Sequence, residues 1–392
     1  MRQTKELAMK ITVKDNNILE WALYIFCMCP YIFPLPFGTD TQPYGLIVSI
    51  VIIGFYFMNL KTYSRVHKWF VILMIVFINC LVIGIASGIN MGMVRSLSNY
   101  ASITFIPFAT YIVLKKANGL NEKIVKKILI CWFIVAMAQM LIDKELFSIF
   151  VSGGRTTDSR GVFGLASEPS FFGICCFFFL FLVDDFKEKR IQYLILVIGM
   201  GVFLAQSSMG ILCIAAYIGI LFLKRANKIS SICMIGSIIV IGVVSVYYVI
   251  QNYMIGTRVY YLLNTFLFNR SVFWADESVR QRLNDIIIPM RSVIQNNFLP
   301  HGFGGRIMSG YGATLYEIGF VGIAIIIIIA ISIGYLGKSK ISKILNPIIV
   351  TIIMFAAIQL AHPMLGFIVG YGWYKNRQDK KIKILDKRMI IQ

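Results

Sequence analysis

Residues 158–173 read DSRGVFGLASEPSFFG and open a long apolar run. Arg160 and Glu168 stand eight positions apart in this stretch, and Arg155 lies five residues upstream. Ionisable groups at the mouth of a membrane span are costly, so they face a partner or a cavity. A carboxylate beside two guanidinium groups could hold a lipid-linked phosphate and position, or deprotonate, an attacking hydroxyl. A plainer reading is a capped helix with an ion pair. Pro169 suits a first helical turn, Ser167 or Glu168 suits its cap, and the helix start carries positive partial charge.

The elements that must position these residues are membrane helices. The chain has 392 residues, 58% hydrophobic and 14% charged. Apolar runs recur along its whole length and are continuous, which predicts an all-α polytopic membrane protein and argues against a β-barrel. About 12 spans are expected, roughly at 18–36, 44–60, 69–88, 97–114, 125–142, 169–183, 191–206, 210–223, 229–251, 316–336, 345–360 and 363–374. Residues 1–392 read as a single integral membrane domain. Residues 1–17 are polar with four Lys/Arg, and the run from Ile18 lacks a small-residue cleavage pattern, so an uncleaved first span is expected. All eight cysteines sit in apolar runs as packing residues, and the three histidines (67, 301, 362) form no zinc spacing. No metal or other cofactor is expected.

Charge orients the map. With both termini cytoplasmic, inside segments hold 22 Lys and 6 Arg, and outside segments 1 Lys and 9 Arg, against nine acids on each side. The positive-inside rule is obeyed, so the net charge of +20 is a topology signal. The basic clusters carry no nucleic-acid motif and suit the cytoplasmic leaflet. Lysine and arginine serve insertion equally well, yet the outside face uses arginine: 95, 155, 160, 258, 270, 280, 282, 291 and 306 against the single Lys144. The arginine fork grips phosphate or carboxylate with two bonds, which points to an anionic substrate. Pairing with the nine outside acids is the alternative.

Two outside segments stand out, 143–168 and the large loop 252–315 between the ninth and tenth spans. The second is too long for a mere connection, carries six arginines and is rich in aromatics suited to sugar rings or to a membrane interface. Within it, 277–298 has helical period. Val279, Leu283, Ile286, Met290, Val293 and Ile294 share a face, with Arg280, Asn284 and Arg291 on one flank and Arg282 and Asp285 on the other. An interfacial amphipathic helix is expected there, kinked or divided at Pro289. The HGFGG stretch (301–305) follows, suited to a tight turn and to close backbone approach by a ligand.

The order RGVFGxxxEPS at the start of a span, AQSSMG (205–210) in a tight hairpin, SVRQRL (278–283) and LPHGFGG (299–305) in the large loop, then LYEIGFVGI (315–323), resembles the Wzy-type O-antigen and capsular polysaccharide polymerases of the O-antigen ligase-like superfamily. The likeness covers about residues 150–336 in motif order and the whole chain in span count. It implies a metal-independent membrane glycosyltransferase in the bacterial cytoplasmic membrane. Such an enzyme joins undecaprenyl-pyrophosphate-linked repeat units into O-antigen, capsular or exopolysaccharide at the outer face. Its partners would be the lipid-linked glycans, the bilayer, and flippase and chain-length regulator proteins, with no nucleic acid. Charge develops on the leaving pyrophosphate, and fixed guanidinium groups would stabilise it. By match to the pattern, Arg160 and Arg282 are clamp candidates with Arg280 next, and Arg155 and Arg291 complete the pyrophosphate set. Glu168 takes the acidic position of the EPS form.

One departure discriminates within the superfamily. Ligases carry a histidine about nine residues before the E-x-G that leads into the next span, and here Ser309 stands in MSGYGATLYEIG. This favours polymerase over ligase and leaves His301 as an alternative base. A lipid-linked oligosaccharide flippase is the non-enzyme rival. Such transporters show internal repeats and midplane charges, and this chain shows neither pattern.

Overall fold

The computed structural model describes residues 18–33, 41–58, 66–88, 90–223, 247–248, 250–252, 254–303, 309–356 and 358–391, with side chains described to Asp379. Among them the structure is helical, and the only pairing of extended backbone is one antiparallel bridge between Ile32 and Val151. The helices are α1 (Ile18–Met28), α2 (Tyr44–Met58), α3 (Lys68–Ala86), α4 (Met91–Ala117), α5 (Glu122–Leu141), α6 (Pro169–Val183) and α7 (Arg190–Gly199), which runs on through a π turn to Leu204. There follow α8 (Ser208–Leu223), α9 (Arg258–Phe268), α10 (Arg270–Ala275), α11 (Glu277–Gln295), α12 (Gly310–Ile318), α13 (Gly322–Gly334), α14 (Lys340–Ala356) and α15 (Pro363–Ile391). Among the described residues, α3, α4, α5 and the joined α12–α13 segment are long and apolar enough to cross a membrane. Shorter apolar helices accompany them at α1, α2, α6, α7 and α8, consistent with a multi-pass membrane protein.

The expected span at 229–251 falls mostly outside the described residues. The expected tenth span starts earlier than its apolar run implies, at Gly310, because Ser309 caps α12 by accepting from Gly312 N. Among the described residues of the 252–303 stretch, the expected helix is preceded by two shorter ones, α9 and α10. The longest of the three, α11, continues through Pro289 without dividing. Proline there leaves the Asp285 carbonyl without its intrahelical donor. Gly312 packs on that carbonyl, where a Cβ would come within 3.0 Å of it.

Burial follows sequence pattern. In α6 every residue from Phe172 to Val183 is buried, so this all-apolar helix is the axis of the bundle. In α3, Ile75, Ile78, Val82 and Ile85 are exposed at helical spacing and form an outward apolar stripe. Glycines let helices approach where side chains would separate them. A Cβ on Gly173 of α6 would lie 2.5 Å from Gly210 Cα of α8, and one on Gly370 of α15 would lie 2.3 Å from the Pro107 carbonyl of α4.

The buried carboxylate of the bundle is partnered, while Thr110 Oγ1 and Asn346 Oδ1 are buried without a partner among the described residues. Glu317 in α12 accepts from Ser96 Oγ at 2.6 Å and Tyr100 OH at 2.7 Å, tying α12 to α4. Trp373 Nε1 donates to Ser332 Oγ. Just past the end of α6, Asp185 meets Lys338 at 3.0 Å and Lys375 at 3.2 Å and accepts from Tyr371 OH. Burial opposes its charge, but Lys375, Tyr371 and Lys338 together outweigh burial and hold its pKa below the usual carboxylate value.

The glycine crossing is testable. Gly173→Leu must push α6 off α8, and overpacking of this kind costs about 1–3 kcal/mol or more. Gly54 of α2 has nothing within 4 Å of where its Cβ would stand. Thermal unfolding in detergent should therefore show Gly173→Leu melting several degrees below wild type and Gly54→Leu close to it.

Candidate functional site

Between α5 and α6 the chain forms a compact loop whose shape is set by buried contacts. Gln139 of α5 is fully buried, accepts from Gly164 N at 2.7 Å, and donates to the carbonyls of Leu146 and Gly164. Gly164 adopts φ +59°, a region that suits glycine. Gly161 lies against the α7–α8 hairpin, where a Cβ would stand 2.1 Å from the Leu204 carbonyl, and Val162 N donates to that same oxygen. Two glycines and one glutamine thus fix the turn that carries Arg160.

The turn is also held from outside. Lys144 Nζ donates to the carbonyls of Asp158 and Arg160, both at 2.9 Å. Arg258 N, at the start of α9, donates to the Ser159 carbonyl at 2.7 Å. Three consecutive carbonyls of the turn are therefore tied down, and Lys144 has a positioning task.

Glu168 is the N-cap residue of α6 by backbone, but its side chain makes no capping bond. It is instead the hub of an arginine pair. Arg155 grips Oε1 through Nε at 2.7 Å and through Nη2. Arg160 Nη1 stands 3.9 Å from Oε2, and Ser170 Oγ donates to Oε2 at 3.2 Å. The Ser167 hydroxyl is buried with no partner among the described residues.

A second pair faces the first. Asp276 caps α11 by accepting from Ser278 N and Val279 N, and Arg258 Nη2 lies 2.7 Å from both of its oxygens. These groups surround a cavity of about 620 Å³, lined by Arg155, Arg160, Glu168, Ser170, Arg258, Asp276, Glu277, Ser278, Gln281, Arg282 and Asp285, with Phe171, Ile174 and Ala356 beneath. A smaller recess of about 80 Å³ adjoins it, lined in part by Gln206, Ser207 and Ser208 of the α7–α8 hairpin. Four helices begin at these walls, α6, α8, α9 and α11. Helix starts carry positive partial charge, which adds to the four guanidinium groups against the four carboxylates of the lining, Glu168, Asp276, Glu277 and Asp285, and suits an anionic occupant beside the arginines.

Arg282 is the distinctive member. It is half-buried and forms no hydrogen bond or ion pair among the described residues. Burial lowers its pKa from the usual arginine value, Glu168 counteracts this, and Arg160 and Arg258 add to the lowering. An arginine stays protonated regardless, so a fixed, underpaired cation faces the cavity.

The structure brings together Arg155, Arg160, Glu168 and Arg282. Arg280 and Arg291 do not line the cavity and are exposed. The reason is helical geometry: Ser278, Gln281, Arg282 and Asp285 share one face at i, i+3, i+4 and i+7, and residues 280 and 291 lie on the opposite side. His301 is also exposed and away from the cavity lining. Its ring stacks on Tyr316 at 4.3 Å, with Nε2 2.9 Å from Ser292 Oγ. Arg306 lies outside the described residues. Arg258 and Asp276 carry as much of the site as any residue that spacing singles out. Arg258 stood in sequence only as one of the outside arginines, and the Asp276 position before a helical period is the one signal that could have found the cap.

Asp276→Ala removes the α11 cap and the Arg258 partner at once. Losing the cap alone costs about 1 kcal/mol of helix stability. Hydrogen exchange should show the first turn of α11 losing protection relative to wild type, with α6 unchanged.

No family model matches the chain, and neither a curated protein nor a solved structure matches it. The chemistry of the cavity therefore carries the functional reading.

Proposed function

We propose that the protein is a membrane glycosyltransferase that joins undecaprenyl-pyrophosphate-linked oligosaccharide units into a polysaccharide at the outer face of a bacterial cytoplasmic membrane. The observation that carries this reading is the cavity of about 620 Å³ walled by Arg155, Arg160, Arg258 and Arg282 beside the starts of α6, α9 and α11. A pyrophosphate leaving group has the charge and the number of acceptor oxygens to use several such donors. The lining also holds carboxylates and neutral hydrogen-bonding groups at Ser170, Ser278 and Gln281, which suit sugar hydroxyls. Phe171, Ile174 and Ala356 at its base offer an apolar surface toward the bundle for the carrier lipid.

The topology of this proposal has twelve spans, both termini in the cytoplasm and the 252–315 segment outside. Arg155, Arg160 and Arg282 bind the pyrophosphate, and Arg258 joins them. Glu168 orients the Arg155 and Arg160 forks by occupying the space between them.

Deletion of the gene should leave single repeat units, made and exported, in place of long chains. Gel analysis of surface glycan with outer-face labelling of lipid-linked intermediates reads this directly. Long lipid-linked chains in the deletion strain would refute the assignment, and units trapped on the cytoplasmic side would indicate a flippase. Complementation with Arg282→Lys should restore little or no polymer with the protein still inserted, because a point-charge ammonium cannot reproduce the two-bond grip.

A further inference from the structure

We infer that Asp285 is the general base that takes the proton from the attacking sugar hydroxyl, a role its place in the arginine-lined cavity offers to no other carboxylate. The inference rests on the polymerase reading above.

Four carboxylates line the cavity, and three are disqualified by position. Glu168 has Oε1 occupied by Arg155 and Oε2 shared between Ser170 and Arg160. Asp276 is committed to the α11 cap and to Arg258. Carboxylate oxygens already engaged by guanidinium, hydroxyl and backbone N–H donors leave little room for an attacking hydroxyl to approach. Glu277 is exposed at the rim. Asp285 is half-buried and makes no hydrogen bond or ion pair among the described residues. Burial raises its pKa from the usual carboxylate value, toward the range where a base works well near neutral pH.

Its setting supports the assignment. Asp285 follows Arg282 by three residues, so the two side chains are neighbours on one face, with Cβ atoms roughly 5–6 Å apart. A leaving pyrophosphate on Arg282 and a hydroxyl on Asp285 would then lie within one helical turn. The backbone there is pinned, with Gly312 of α12 packed on the Asp285 carbonyl beside Pro289. The charged groups sharing the cavity are those named above. Of the helices packed on α11, α10 brings the exposed Arg270, and α12 brings Tyr311, Tyr316 and Glu317, the last engaged by Ser96 and Tyr100. In α14 the charges sit at Lys340 and Lys343, while the cavity is met by Ala356 at the other end.

The step balances without a co-reactant. The acceptor oxygen bonds to the anomeric carbon of the donor glycan as the carbon–oxygen bond to pyrophosphate breaks. The bonding pair departs with undecaprenyl pyrophosphate, and the hydroxyl proton passes to the Asp285 carboxylate.

The test uses full-length protein in nanodiscs with lipid-linked repeat units extracted from the deletion strain. Initial rates of joining are measured from pH 5 to 9, and binding is measured with undecaprenyl pyrophosphate. Wild type should lose rate about tenfold per pH unit below the Asp285 pKa, because the protonated acid cannot accept. Asp285→Asn should cut the rate at neutral pH about 100-fold or more, abolish that acid limb, and leave undecaprenyl pyrophosphate binding within twofold. Asp285→Glu should retain the limb. An Asp285→Asn variant with near-normal rate overturns the inference, as does one that loses rate and binding together. Either result leaves the polymerase reading standing if Arg282→Lys is inactive in the same assay. Wild-type protein that joins no units overturns the polymerase reading itself, and this inference with it.

Discussion

Mutual repulsion among four guanidinium groups around one cavity is the constraint that the surrounding structure answers. Arg155, Arg160, Arg258 and Arg282 line a single space, and the starts of α6, α9 and α11 add partial positive charge to it. Such an arrangement does not assemble for its own stability. It is held because Glu168 sits between Arg155 and Arg160, and Asp276 locks Arg258 while capping α11. Arg282 alone is left with no direct partner among the described residues. The architecture thereby separates cations that build the cavity from one whose charge remains for an occupant.

Holding cations close requires a rigid frame, and the frame is made of backbone contacts. The turn that bears Arg160 is tied by Lys144 and by Arg258 N, and Gly161 seats it on the α7–α8 hairpin. That hairpin is itself fixed because Gly173 of α6 and Gly210 of α8 touch backbone to backbone. A chain of close approaches therefore runs from the central buried helix to the arginine turn. Displacement of α6 against α8 would move Glu168 and Arg160 together, so packing inside the bundle and charge geometry at its end are one problem.

The bundle and the site obey different rules about polar groups. Within the bundle, the Glu317 carboxylate and Trp373 have direct partners, and the polar atoms left without one among the described residues, such as Thr110 Oγ1 and Asn346 Oδ1, are uncharged. At the cavity, Arg282 and Asp285 stand without direct partners among the described residues. Groups left underpaired in a partly buried space are the ones a ligand can recruit. The two charged groups without direct partners both lie at the end of the bundle where α6 begins.

The sequence by itself determined that the chain is helical and apolar enough for a membrane, because continuous hydrophobic runs need no tertiary partner to be recognised. It also marked Arg155, Arg160 and Glu168 as a group, since they are local neighbours around one helix start. Helical period was enough to separate Arg282 from Arg280 and Arg291, which lie on opposite sides of α11. Only the tertiary structure decided that α11 presents the Arg282 face to the α6 loop, and that Arg258 and Asp276 complete the cavity. Those choices depend on packing between segments more than 100 residues apart, and the amphipathic pattern of α11 is compatible with either face inward. The continuity of α11 through Pro289 was equally hidden, as was the close approach of Gly312 to the carbonyl that proline frees.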